Sequence, residues 1–337
     1  MPSDAASADD ANVEILAALA RLALVADGER PRLTPLSGGV SSDIWKVETP
    51  GRIFCIKRAL PKLKVAQDWQ VPVERSRYEY AWLEEAARHV PEAVPALFGF
   101  DAAAGLFALA WLDPNAYRWW KGELRDGRVD VAAAAAVGRA IARIHKGTAG
   151  RRDIAETFAT DEIFHAIRLE PYLLATARVH GDLAHRLEEL SAITADTRLA
   201  LVHGDVSPKN IMMGPAGPVL LDAECAWYGD PAFDLALCLN HLLLKGLWCP
   251  SAKSCHLNAF DSLVSAYLAE VDWEAVGVLE RRVAHLLPGL LLARVDGKSP
   301  VEYLTEARDK GRVRAFARRF LVGPVDKLAA LREAWAR

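Results

Sequence analysis

The chain of 337 residues has no CxxC pair, no sustained run of Lys or Arg, and no apolar stretch near the roughly 20 residues that a membrane helix needs. Each absence excludes something. With a net charge of −3 and no basic cluster, the electrostatic footprint of a nucleic-acid or anionic-membrane binder is missing. Neither partner is expected. The first basic residue is Arg21, and the opening MPSDAASADDAN is acidic, unlike a secretory signal or an Arg-rich transit peptide. Five unpaired-looking cysteines (Cys55, Cys225, Cys238, Cys249, Cys255) suit reduced thiols, so the expected location is the cytoplasm. His241, Cys249, Cys255 and His256 lie close in sequence but lack the tight ligand pairs of a structural zinc site.

What is present is core material. Hydrophobic residues make up 52% and charged residues 25%, the composition of a folded globular protein. At this length, one large domain or two lobes is expected. Residues 12–25 carry apolar positions at helical spacing, and DIWKVE (43–48) and RIFCIK (52–57), split by Thr49-Pro50-Gly51, read as a hairpin. VERSRYEYAWLEEAARHV (73–90) reads as a helix closed by Pro91, and LFALAWL (106–112) as a strand. From about residue 130 the pattern is mostly helical. The reading is therefore α+β: a small β-rich lobe over 1–112 and a larger, mainly helical lobe over 113–337. Within the latter lies one β island, ALVHGDVSPKNIMMGPAGPVLLDAE (200–224), followed by a helix from Pro231 to Lys245 that is apolar nearly all round and so buried.

The island carries the chemistry. In HGDVSPKN, Asp205 and Asn210 are five apart in a Pro-containing loop between apolar runs, which lets a carboxylate face a substrate while an amide oxygen faces a metal. In VLLDAE, Asp222 ends an apolar strand and adds a second carboxylate. Asp and Asn are common turn formers, but HGDxxxxN followed by a strand and DxE is a specific set. Earlier in the chain, LSGGVSSDIWKV (36–47) places small residues before a strand, where backbone N–H groups from Gly38 to Ser42 could cradle phosphate oxygens.

HGDVSPKN, LLDAE and YGDPAFDLA resemble the catalytic loop, metal-binding segment and following helix of the aminoglycoside phosphotransferase family, which includes choline kinases and methylthioribose kinases. KRALPKLKVAQDWQVPVERSRYEYAWL (57–83) and AWYGDPAFDLALCLNHLLL (226–244) are similar to methylthioribose kinases in particular. The resemblance implies a bilobal protein-kinase-like fold and phosphoryl transfer from ATP with Mg2+. It implies Asp205 as catalytic base, Asn210 and Asp222 as metal ligands, and Lys57 at the α/β-phosphates. Gly38, Gly39, Ser41 and Ser42 would form the phosphate turn. The acidic partner of Lys57 should come from the helix beginning near Val73; Glu79 is chosen over Glu74 and Glu84 because RSRYE fits an R-x-x-x-E pattern. His203 and Asp234 look like loop-bracing residues, and His145 like a satisfied core histidine.

Only seven residues separate Asp222 from Asp230, which leaves no platform for a peptide, so a small-molecule hydroxyl acceptor is expected. Glu224, Asp230 and Arg294 are the acceptor-contact candidates. Methylthioribose kinases carry DPEF where this chain has DAEC, and a pair of adjacent arginines where Arg294 stands alone. Ten tryptophans, among them Trp111, Trp119, Trp120, Trp227 and Trp248, keep open an aromatic wall for a cationic amino alcohol or aminoglycoside. The other alternative is a kinase-shaped nucleotide-binding module without transfer activity.

Overall fold

A computed structural model describes residues 3–26, 28–36, 42–60 and 74–337. Gly38, Gly39 and Ser41 of the expected phosphate turn lie outside the described residues. The chain divides into two compact units, Met1–Pro114 and Asn115–Arg337.

The first unit is built on an antiparallel sheet in the order β1-β2-β3-β5-β4. Its strands are β1 (Arg32–Leu36), β2 (Ser42–Glu48), β3 (Ile53–Ala59), β4 (Leu97–Asp101) and β5 (Leu106–Ala110). β2 and β3 form the expected hairpin, closed where the Thr49 N–H donates to the Arg52 carbonyl at 2.9 Å. β1 carries Pro35 and escapes the sequence pattern; it lies on a sheet edge, where a residue without an N–H costs no ladder bond. Helix α1 (Ser3–Arg21) packs Ile15, Ala18 and Leu19 against Val47, Phe54, Ile56 and Leu106. It stops four residues before the expected end, because Ala23 takes a left-handed φ of 54°. Helix α2 (Arg75–Ala87) buries Trp82, Leu83 and Ala86, and its Ser76 hydroxyl accepts from the Ala59 N–H at the end of β3. That bond fixes α2 to the strand that carries Lys57.

The second unit is mainly helical. Asp130 caps α3 (Val131–Thr148) by accepting from the Ala132 and Ala133 N–H groups. α4 (Ala232–Trp248) is buried at every residue from Ala232 to Leu247, as its all-round apolar sequence requires. It is wrapped by α5 (Lys253–Leu268) and α6 (Val276–Asp296), with α7 (Ala307–Val322) outside α6. α3 meets α5 so closely at Gly138 that a Cβ there would sit 2.5 Å from the Leu263 carbonyl oxygen. The strands of the β island enter two small sheets: β8 (Ile211–Gly214) and β9 (Gly217–Leu220) join β6 (Arg118–Trp119) in one, and β7 (Ala200–Val202) pairs with β10 (Trp227–Gly229) in the other. Among the described residues no single helix is long and apolar enough to cross a membrane; α4 and α5 pass that test only as a pair bent by 119°.

Candidate active site

The HGDVSPKN loop leaves β7 and returns through a single 3-10 turn, Pro208–Asn210, into β8. Gly204 is a requirement of that path. Its φ is +78°, and a Cβ would lie 2.6 Å from the Cys225 carbonyl oxygen. Asp234, in the first turn of α4, holds the loop by accepting from the His203 N–H at 2.7 Å on one oxygen and the Gly204 N–H at 2.8 Å on the other. His145 supports it: its Nε2 lies 3.2 Å from Asp234 and its Nδ1 2.7 Å from the Tyr267 hydroxyl. His203 itself is fully used. Burial holds its pKa below the usual value, against the pull of Asp234 and Asp205, so the ring is neutral. Nε2–H donates to the Leu221 carbonyl and Nδ1 accepts from the Asp205 N–H. No nitrogen remains to act as a base.

Asp205 is buried, and its side-chain partners converge on one oxygen. Oδ2 receives the Asn210 amide at 2.9 Å, the Lys209 ammonium at 3.0 Å and the Arg168 guanidinium at 3.1 Å. Oδ1 takes none of these bonds. Burial alone would push the carboxyl upward, but the Lys209 and Arg168 charges outweigh it and hold Asp205 well below the ordinary carboxylate range. The Asn210 amide also donates to the Asp205 backbone carbonyl, so both its hydrogens face Asp205. Asp222 follows β9 with a left-handed φ of 68°, a conformation that Asp tolerates better than most residues.

Arg168 and Lys209 were not singled out in the sequence. Lys209 stood inside the motif, where only its flanking Asp and Asn carry the spacing signal. Arg168 comes from a π-helical segment, His165–Leu174, and also donates to the Gly204 carbonyl 36 residues later, so no local pattern marks it. Pro171 within that segment offers no N–H to a regular helix ladder.

In the first unit, Lys57 on β3 meets Glu79 on α2 at 2.7 Å, with both side chains buried. Of Glu74, Glu79 and Glu84, Glu79 is the one that makes this bond. Ser42 is buried at the start of β2, paired opposite Ala59.

Asp230 needs correction as an acceptor contact. It is 1% exposed, its oxygens bind Arg282 at 3.0–3.2 Å, and it accepts from the Ala232 N–H at the start of α4. A carboxylate so engaged anchors α4 and has nothing left for a ligand. Glu224 is half-buried within the charge field of Arg168. Arg294, on α6, donates to the Ser299 carbonyl and hydroxyl and to the Tyr172 hydroxyl. Trp120 and Trp227 are core residues, Trp111 lies beneath Lys46 in the first unit, and Trp248 stacks on Tyr303.

Residues 32–252 match the phosphotransferase enzyme family. The chain belongs to this family. Among curated relatives, methylthioribose kinase 1 of Oryza sativa subsp. japonica is 27% identical over 218 residues, covering 56% of this chain and 50% of the relative. A methylthioribose kinase of Escherichia coli O45:K1 is 24% identical over 245 residues, covering 64% and 58%. The chain thus spans about half the length of the curated relatives it matches. An amicoumacin kinase solved in complex with AMP-PNP, Ca2+ and Ami superposes with a TM-score of 0.54 at 13% identity, covering 88% of this chain and 90% of that one. A Plasmodium vivax ethanolamine kinase gives 0.53 at 13% identity, covering 88% and 83%. At such identities these structures establish the fold. It is the α+β, protein-kinase-like fold expected, with an antiparallel sheet first and a mainly helical remainder.

Proposed function

We propose that this phosphotransferase moves the γ-phosphoryl group of Mg-ATP to a hydroxyl of a small, sugar-like molecule, with Asp205 receiving the hydroxyl. The observation that carries this reading is the asymmetry of Asp205: three donors fix Oδ2 and leave Oδ1 for an incoming O–H. A carboxylate held this far down is a weak base. Its first part is to orient the hydroxyl toward phosphorus, and it takes the proton late, as the new P–O bond forms and the bond to ADP breaks.

Asn210 and Asp222 suit a hard divalent cation. Because Asn210 turns both amide hydrogens on Asp205, its carbonyl oxygen faces away from them, and with the Asp222 carboxylate it offers the oxygen donors that Mg2+ takes. The ion, when bound, neutralises charge on the phosphates. In the first unit the Lys57–Glu79 pair is assigned to the α/β-phosphates, and Ser42 to the phosphate turn together with Gly38, Gly39 and Ser41. The short link from Asp222 to Asp230 supports a small acceptor, and the names of the curated relatives support a sugar-like one.

The test is ATP consumption across methylthioribose, pentoses, choline, ethanolamine, homoserine and aminoglycosides, with Asp205→Ala as control. Transfer should vanish in that variant while ATP binding survives. Near-normal turnover in Asp205→Ala would overturn the role, and silence across the panel with ATP bound would favour a nucleotide-binding module without transfer.

A further inference from the structure

Lys245, near the end of α4, is 1% exposed, and its ammonium has no hydrogen-bond partner among the described residues. It sits instead 4.4 Å from the Tyr303 ring centroid and 5.1 Å from that of Trp248, two rings stacked at 4.7 Å. Burial draws its pKa down to about 8, so the group is still mostly protonated at neutral pH. Among the described residues no carboxylate pairs with it; Glu302 is bonded to Lys121. A buried charge without a counter-ion is costly, and the ring faces repay only part of that cost.

The surroundings repeat the imbalance. Among the described residues the Tyr303 hydroxyl and the Arg294 Nε are also buried without partners, and the Arg294 guanidinium bonds only neutral oxygens. Two donor-only cationic groups and a hydroxyl that can also donate are complementary to a ligand rich in lone pairs and negative charge. Of these, Arg294 adjoins the site of Asp205. Arg168, paired with Asp205, and Arg294 lie 5.7 and 5.4 Å from the centroid of one ring, that of Tyr172. Along α4, Asp234, His241 and Lys245 are spaced 7 and 4 residues apart, so at 3.6 residues per turn they fall within about 20° of one line. The loop anchor and the unpaired ammonium therefore share one helix face. His241 between them feels the charges of Arg294, Lys245, Asp205 and Lys209.

We infer that Lys245, with Arg294 and the Tyr303 hydroxyl, receives an anionic substituent of the acceptor, so that the molecule phosphorylated is a hydroxyl compound bearing a carboxylate or a phosphate ester. This rests on the function proposed above. The same arrangement excludes amino alcohols and aminoglycosides: the aromatic pair that could hold a foreign ammonium already holds the chain's own, and the neighbouring cations repel another. Trp248 and Tyr303 are both partly exposed, Tyr303 on the loop between α6 and α7.

The test uses the full chain and compares D-ribose, D-ribonate, ribose 5-phosphate and choline as additives in thermal melts of the wild type and Lys245→Met. D-ribonate or ribose 5-phosphate should raise Tm, and which of them does so separates a carboxylate from a phosphate ligand. Ribose and choline should not. Lys245→Met should lose the anion effect, while melting without additive at or above the wild type, since it removes an uncompensated charge. The inference is overturned if neither anion raises Tm, if ribose or choline does so equally, if the variant keeps the effect, or if the variant without additive melts several degrees lower. Because the readout is binding, it survives a failure of the transfer reaction; a kinase active on neutral sugars but indifferent to anions would remove this inference alone.

Discussion

Asp234 offers the sharpest test of how the loop is held. In Asp234→Asn only one oxygen remains, and two backbone donors on different oxygens need both. If the amide oxygen stays on the His203 N–H, as His145 on the same oxygen favours, the new NH2 faces the Gly204 N–H, donor against donor. One buried N–H left unbonded costs about 1–3 kcal/mol, and the surviving bonds lose their charge assistance, which is about half their strength, so a loss of roughly 3 kcal/mol is expected. For a unit of this size each kcal/mol shifts Tm by about 2–4 °C, giving a fall of roughly 6–12 °C. Thermal melts followed by circular dichroism, with kcat/KM for ATP-dependent turnover measured well below the new Tm, separate the two consequences. Turnover should also fall, because Gly204 immediately precedes Asp205 and any shift of its peptide moves Oδ1. A fall in Tm of under about 2 °C with unchanged kcat/KM would refute the account.

At Asp222 stability and function should pull apart: Asp222→Gly relieves the left-handed backbone and Asp222→Ala does not, so the Ala variant should be less stable than the Gly variant by about 1 kcal/mol, while both lose magnesium-dependent nucleotide affinity. Equal Tm values for the two would contradict the geometry. Lys209→Met removes the largest influence that lowers Asp205. A depressed carboxyl stays ionised above its folded pKa, so raising that pKa must move the acid limb of kcat/KM to higher pH; an unmoved limb, read from a pH–rate profile, would mean that Lys209 does not set the charge of Asp205.

The parts of the site that could be read from sequence are those whose geometry is closed locally. HGDVSPKN must turn sharply at Gly204 and return within six residues, so the spacing of Asp205 and Asn210 already dictates that one meets the other. Lys57 and Glu79 were recoverable because a strand and the next helix present one residue each at a fixed register. Asp230 misled for the opposite reason. In sequence, a carboxylate beside a catalytic motif looks the same whether solvated or buried, and its partner Arg282 arrives 52 residues later on α6. Arg168 and Lys245 share that limitation. The first depends on an irregular helical turn, and the second reads as a basic cap on a helix end until the stacked rings around it are seen.

α4 joins these observations energetically. Burying a Leu side chain contributes roughly 1.5–3 kcal/mol, and α4 buries seven of them between Leu235 and Leu247. That surplus is what lets the same helix carry Asp234, His241 and Lys245 in its interior. The two charged groups differ in kind: Asp234 is compensated by the donors it organises, whereas Lys245 has no acceptor among the described residues. A helix selected only for stability would place a methionine at position 245. Keeping an ammonium there is explained if the missing acceptor arrives with the substrate, in which case the binding energy of the anion is drawn from charge that folding left unpaired.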